Sequence, residues 1–177
     1  MDYTLPPAVL MGLPSGIEGT RQTLRIMRNL ALQGKTTPMV RQLAVQLTMS
    51  LPQKDWLSEI NALFYFVRDN IRYVRDIRNV ETLHTADRVL MNRAGDCDDK
   101  SVLLASLLES IGHPSRFVAV GFKPDQCDHV YVETLRSANA PRALQSSWMA
   151  LETTEPVPPG WSAMDKGNVQ KTLIMEI

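Results

Sequence analysis

Apolar residues in the first seventy positions recur every three or four places, the period of one helix face. Leu24, Met27, Leu30 and Ala31 form such a stripe between Ile17 and Leu32, and Gly34 supplies a stop. Val40, Leu43, Ala44 and Leu47 predict a second helix from Thr37 to Ser50, with Pro38 in its first turn, where a missing N–H costs nothing. Pro52 separates it from a third, Asp55–Asn70, with Asp55 as N-cap and Ile60, Leu63, Phe64 and Val67 on the buried side. A short helix over Ala86–Asn92 and a longer one over Asp98–Ile111 follow, the latter stopped by Gly112 and Pro114. Beyond Pro114 the period drops to two. SRFVAVGF, DHVYVETL and SSWMALET read as β-strands separated by KPDQC and RSANAPRALQ, and KTLIMEI as an edge strand. Helices first and then an antiparallel sheet is an α+β layout. It is expected as one domain over residues 1–177: an extended, proline-punctuated arm (1–16), a helical subdomain (17–80) and a core (81–177).

Composition narrows the function classes. With 44% hydrophobic and 21% charged residues the chain reads as an ordinary globular protein able to bury a core. Nineteen basic residues balance nineteen acidic ones, so the surplus that neutralises phosphates is missing and nucleic acid is not the expected partner. No apolar run is long enough to span a membrane, and the opening MDYTLPPAVLMGLPSG has no basic leader, so no signal peptide is expected. Two cysteines build no disulfide framework, which points to a reducing, intracellular setting. Two arginine rows, Arg21, Arg25 and Arg28, and Arg68, Arg72 and Arg75, follow helical spacing. They read as a solvated helix face or as a docking surface for an acidic partner.

The candidate chemistry sits at GDCDDKS, directly before the apolar run VLLASLLESIG. Cys97 falls where a helix begins, and a helix N-terminus favours a thiolate and can hold a developing oxyanion. Asp96 is the natural N-cap, and Gly95 would let a substrate backbone approach closely. At helical spacing Leu104, Leu108 and Ile111 fall within about 40° of Cys97, so the cysteine heads the buried stripe. Asp98 and Asp99 turn away from that stripe and raise the thiol pKa. In DHVYVE, His129, Tyr131 and Glu133 share one strand face while Val130 and Val132 take the other, which suits a core. In WMALE, Trp148, Ala150 and Glu152 alternate with Met149 and Leu151. If these strands pair across the loop 136–145, Glu152 stands beside His129 and holds its tautomer. Cys97, His129 and Glu152 then form a nucleophile, base and orienter. Glu133 is the reserve acid, and Asp128 lies on the wrong face. Tyr73 and Trp148 are read as site-shaping aromatics or as core. His84 lies in a turn, and His113 follows a helix end. Cys127 with His129 and Cys97 offers too few ligands for structural zinc, and clustered calcium ligands are missing, so no metal or cofactor is expected. A Cys97–Cys127 disulfide would form only under oxidation.

Three ordered motifs resemble the transglutaminase-like superfamily of papain-like thiol enzymes: Gly95-Asp96-Cys97, His129-Val130-Tyr131-Val132-Glu133, and Trp148-Met149-Ala150-Leu151-Glu152-Thr153-Thr154. LLASLLESIGHPSRFVAVG is similar to the helix and strand after that family's cysteine, and IRYV (71–74) to its tyrosine-bearing segment. The resemblance covers roughly residues 60–155. It departs where the family has aspartate and proline and this chain has Glu152 and Thr153. It implies a papain-like core, with a central helix starting at Cys97 packed on an antiparallel sheet. It also implies catalysis by Cys97, His129 and Glu152, with Tyr73, Gly95, Asp96, Tyr131 and Trp148 around the substrate. The expected reaction is acyl transfer from an amide through a thioester, with hydrolysis favoured over transamidation. The helical N-terminal part makes the chain most similar to small phage- and prophage-encoded members. That likeness implies a peptide or protein substrate, phage structural proteins as further partners, and a location in host cytoplasm or virion. The competing expectation is a non-catalytic phage assembly protein that keeps the fold as a binding module.

Overall fold

In the computed structural model, residues 12–75, 82–135 and 147–177 are described. They form helices α1 (Gly16–Gly34), α2 (Pro38–Thr48), α3 (Trp56–Asn70), α4 (Ala86–Asn92) and α5 (Cys97–Ser110). The strands are β1 (Arg72–Tyr73), β2 (Ala94–Gly95), β3 (Ser115–Gly121), β4 (His129–Leu135), β5 (Trp148–Leu151) and β6 (Lys171–Glu176). Residues 1–11 of the expected arm and the expected loop 136–145 lie outside the described residues; 12–15 precede α1 without helix.

The sheet runs β5-β4-β3-β6 with every neighbour antiparallel, and β6 is the edge strand its alternation predicted. One face, carrying Phe117, Ala119, Val130, Val132, Met149 and Leu151, packs on α5. The apolar stripes of α1, α2, α3 and α4 close over the rest of that helix. Behind the sheet a smaller cluster forms from Val118, Val120, Tyr131, Ala150 and Ala163. The valines of β4 thus face the core as expected, but the Tyr131 face is covered too.

Helix α5 departs from the single buried stripe that its sequence suggested. Every residue from Asp98 to Leu108 is buried, because the sheet takes one side and four helices take the others. A helix buried all round must satisfy its polar side chains internally. Ser106 donates to the Val102 carbonyl at 2.7 Å. Lys100, only 2% exposed, donates from Nζ to the Ile71 carbonyl at 2.8 Å and the Arg68 carbonyl at 3.3 Å. These carbonyls lie at the end of α3, where helical partners run out. Burial pulls the Lys100 pKa down to about 8, opposed by Glu152 and Asp69. Gly34 stands at the end of α1 for packing as much as for termination: a Cβ there would meet Ser106 Oγ at 2.5 Å.

The first arginine row stays on the molecule. Arg21 and Arg25 reach Glu18 at 3.4 and 3.7 Å, and Arg28 Nε donates to the Glu176 carbonyl of β6 at 2.9 Å. His113 is buried with Nε2 2.9 Å from Glu59 Oε2. Burial pushes its pKa down against the pull of Glu59. Among the described residues, no helix is long and apolar enough to cross a membrane.

Two outcomes follow from this packing. Leu104→Ala, at a site with no exposure, is expected to lower unfolding free energy by about 3 kcal/mol in urea titration. A loss under 1 kcal/mol would show that α5 is not the core. His113 resists a proton when folded and accepts it when unfolded, so its contribution is present above the unfolded histidine value, about 6.5, and is lost as pH falls. Thermal melts of His113→Gln should therefore fall less steeply between pH 7 and 5 than those of the parent.

Candidate active site

Cys97 is the first residue of α5, and Asp96 is its N-cap. Asp96 Oδ1 accepts from the backbone N–H groups of Asp98 and Asp99, both at 3.1 Å. The cap uses those two donors and leaves the N–H of Cys97 outside it. Gly95 is required by a neighbour: a Cβ there would lie 2.5 Å from Asp99 Cβ. The acids Asp98 and Asp99, expected off the stripe, are both buried as well. Asp99 accepts from the His84 N–H at 2.9 Å and meets His84 Nδ1 at 2.8 Å, fixing the segment before α4 to the start of α5. The histidine that seemed only to occupy a turn is an anchor.

His129 opens β4, and Glu152 follows the last residue of β5, which lies opposite Val132. The structure brings them together: His129 Nε2 lies 2.6 Å from Glu152 Oε2. Glu152 is 1% exposed, and its other oxygen accepts from Thr154 N–H at 2.9 Å and Thr154 Oγ1 at 2.7 Å. Burial alone would raise the carboxyl pKa, but the bonds from His129 and Thr154 outweigh it and hold Glu152 below its ordinary value. Glutamate in place of aspartate therefore reaches the imidazole from this strand end. Because Nε2 is committed to the carboxylate, Nδ1 is the ring nitrogen that remains for a thiol.

Of the aromatic candidates, Tyr73 comes to the nucleophile. It stands opposite Gly95 in the parallel β1–β2 pair, and after burial the charge of Cys97 is the main influence raising its pKa. Tyr131 stacks behind His129, ring centroids 6.5 Å apart and planes 26° from parallel. Burial pushes its hydroxyl up to about 12, against a hydrogen bond with Ser162. It supports the histidine from inside the second core and has no open face for substrate. Trp148 sits opposite Leu135, at the other end of β5 from Glu152, with the Arg116 guanidinium 4.1 Å above its ring. It is not brought to the pair. Glu133, the reserve acid, is held by Arg116 at 2.6 Å. Sequence reasoning missed Thr154 as the clamp on Glu152, although it lies in the quoted motif, and missed Asp99 and Lys100, whose signal is charge inside an apolar helix run.

The resting thiol is protonated. Burial is the largest influence raising the Cys97 pKa, followed by the charges of Asp98 and Asp96, and the Val130 N–H only partly offsets them. Cys97 Sγ donates to Asp98 Oδ1 at 3.5 Å. No hydrogen bond joins Cys97 to His129 among the described residues. No group of three or more histidine, cysteine or acidic side chains is placed to hold a metal among them, and Cys97 and Cys127 are both free thiols.

The core helix begun by a capped cysteine, with a strand histidine bound to a carboxylate on the next strand, defines a papain-like arrangement. The transglutaminase-like superfamily model matches residues 41–165, more than half the chain, and the chain belongs to that superfamily. LapG of Legionella pneumophila is similar in its EGTA-treated form (14% identity, TM-score 0.53, 81% of this chain and 77% of that one). Its calcium-bound form gives 16%, 0.54, 82% and 80%. A Parabacteroides distasonis protein provisionally named a protease shares 17% identity at TM-score 0.54 over 77% of this chain and 27% of its own. A Cytophaga hutchinsonii protein provisionally named a cysteine protease shares 19% at 0.50 over 78% and 48%. This chain spans about a quarter and about half the length of those two. At such identities the likeness is one of fold. No curated protein matches the sequence.

Since Asp98 raises the thiol pKa by charge and by hydrogen bond, Asp98→Asn should speed iodoacetamide alkylation of Cys97 at pH 8, read by mass spectrometry with Cys127 as internal reference. Unchanged or slower labelling would mean that Asp98 does not govern the sulfur.

Proposed function

We propose that the chain is a cysteine acyl-transfer enzyme acting as a peptidase or amidase, with Cys97 as nucleophile, His129 as general base and then acid, and Glu152 as orienter. The observation that carries this reading is the 2.6 Å bond from His129 to a buried Glu152 on the sheet against which the Cys97 helix packs. Because burial and Asp98 keep the sulfur protonated at rest, His129 acts as a base during attack rather than as half of a standing ion pair. The Cys97 S–H proton passes to His129 Nδ1 as sulfur bonds to the amide carbon. The carbonyl oxygen gains charge facing the Cys97 N–H, which the Asp96 cap leaves uncommitted. His129 returns the proton to the departing amine, giving a thioester. Water then attacks, His129 takes its proton and passes it to the sulfur, and a carboxylic acid leaves. The ionised Glu152 stabilises the imidazolium in both halves.

The protonated, half-buried thiol also favours a second reading, a phage assembly protein that uses the fold to bind a partner without turnover. Peptide hydrolysis separates the two. Parent protein should release amine from a quenched peptide pool, Cys97→Ala should abolish release, and Glu152→Gln should lower kcat by roughly a hundredfold while the fold persists. Release that survives in Cys97→Ala would sink the enzyme reading, as would no release from the parent at any pH between 5 and 10.

A further inference from the structure

The rim beside Cys97 is the β1–β2 ribbon, with Tyr73 opposite Gly95 and the Val74 N–H bonded to the Gly95 carbonyl at 3.0 Å. Arg72, Tyr73, Val74 and Arg75 are all exposed, Tyr73 by 41%. Arg75 lies against the Tyr73 hydroxyl. Arg93, exposed at the left-handed end of α4, accepts the Arg72 N–H at its carbonyl at 2.9 Å. The charged side chains of the ribbon and this residue are thus three guanidiniums. Among the described residues none of them lies within ion-pair distance of a carboxylate. The three acids at the start of α5 are below the surface: Asp96 caps the helix, Asp99 holds His84, and Asp98 meets the thiol. Arg68, first of the same arginine row, is spent elsewhere, on Asp69 at 2.6 Å and the Val157 carbonyl at 3.0 Å.

Among the described residues these like charges have no carboxylate partner, and they flank the strand pair whose Tyr73 senses the candidate nucleophile. We propose that this ribbon is the specificity surface of the site, and that Arg72 and Arg75, with Arg93 behind them, select peptides carrying an aspartate or glutamate side chain close to the attacked bond. A guanidinium fork matches a carboxylate in plane and spacing, and the Tyr73 hydroxyl adds a donor on the same side as Arg75. The acidic residue is not the one attacked, because Asp96 and Asp98 place negative charge at the thiol itself. This inference rests on the cysteine-enzyme reading for the word substrate, but the ribbon's preference for carboxylates does not require turnover.

The test uses full-length Cys97→Ala protein and fluorescein-labelled hexapeptides in which a single Glu is walked through an alanine–serine background, each beside its Gln counterpart. Fluorescence anisotropy at low salt should show Glu peptides binding about fivefold tighter at one or two positions, and the preference should shrink as salt is added. The exposed double substitution Arg72→Gln/Arg75→Gln should remove it. Equal binding of Glu and Gln peptides, no binding of either, or a preference that survives the double substitution overturns the assignment. Turnover by the parent separates the two readings. Carboxylate preference without Cys97-dependent hydrolysis keeps the ribbon and discards the enzyme; hydrolysis indifferent to Glu does the reverse.

Discussion

The start of α5 is a helix N-terminus buried inside a protein, and much else follows from the need to satisfy it. Asp98 and Asp99 of the first turn are buried, so their N–H groups must find partners within the chain. Asp96 supplies one oxygen to two of them. That choice puts a carboxylate one residue from the cysteine and draws in its own requirements. Gly95 must lack a side chain, since Asp99 crosses its Cα. Asp99 in turn must be paired, and it takes both the backbone and the ring of His84. The candidate nucleophile is positioned by a chain of satisfied polar groups more than by packing of its sulfur.

The same arrangement sets two forces against each other at the thiol. The helix end and the Val130 N–H favour a thiolate, while burial, Asp98 and Asp96 disfavour it, and the second group wins in the resting state. The imidazole side of the site has the opposite balance. Glu152 is almost without exposure yet ionised, because His129 and Thr154 together return more than burial takes. The imidazole is thus held oriented while the thiol keeps its proton.

Elements with one wet face were legible in the sequence. The stripes of α1, α2 and α3 placed those helices to within a few residues, and Asp55 is the N-cap its position suggested, accepting from Ser58 at 3.2 Å. Strand parity put Val130 and Val132 on the core and brought Glu152 to the side of His129. What failed was information that parity and period do not carry. Alternation gives the face of Trp148 but not its height along the sheet, and the register sets it opposite Leu135. Periodicity is mute for α5, where all faces are buried. Nor can a lone sequence show that His84, fifteen residues earlier, arrives to meet one of its acids. The two-residue strands β1 and β2 are too short for any pattern to appear.

Lys100 has a consequence for how the molecule comes apart. Its ammonium, on the helix that begins at Cys97, terminates the carbonyl array of α3, so neither helix end is complete without the other. Fraying α3 would strand a buried cation, and fraying α5 would strand two buried carbonyls. Each loss costs more than either helix would lose alone. The end of α3, the ribbon strand that follows it and the first turn of α5 therefore open as one cooperative unit. A fluctuation that detaches the arginine rim therefore also dismantles the cysteine's turn.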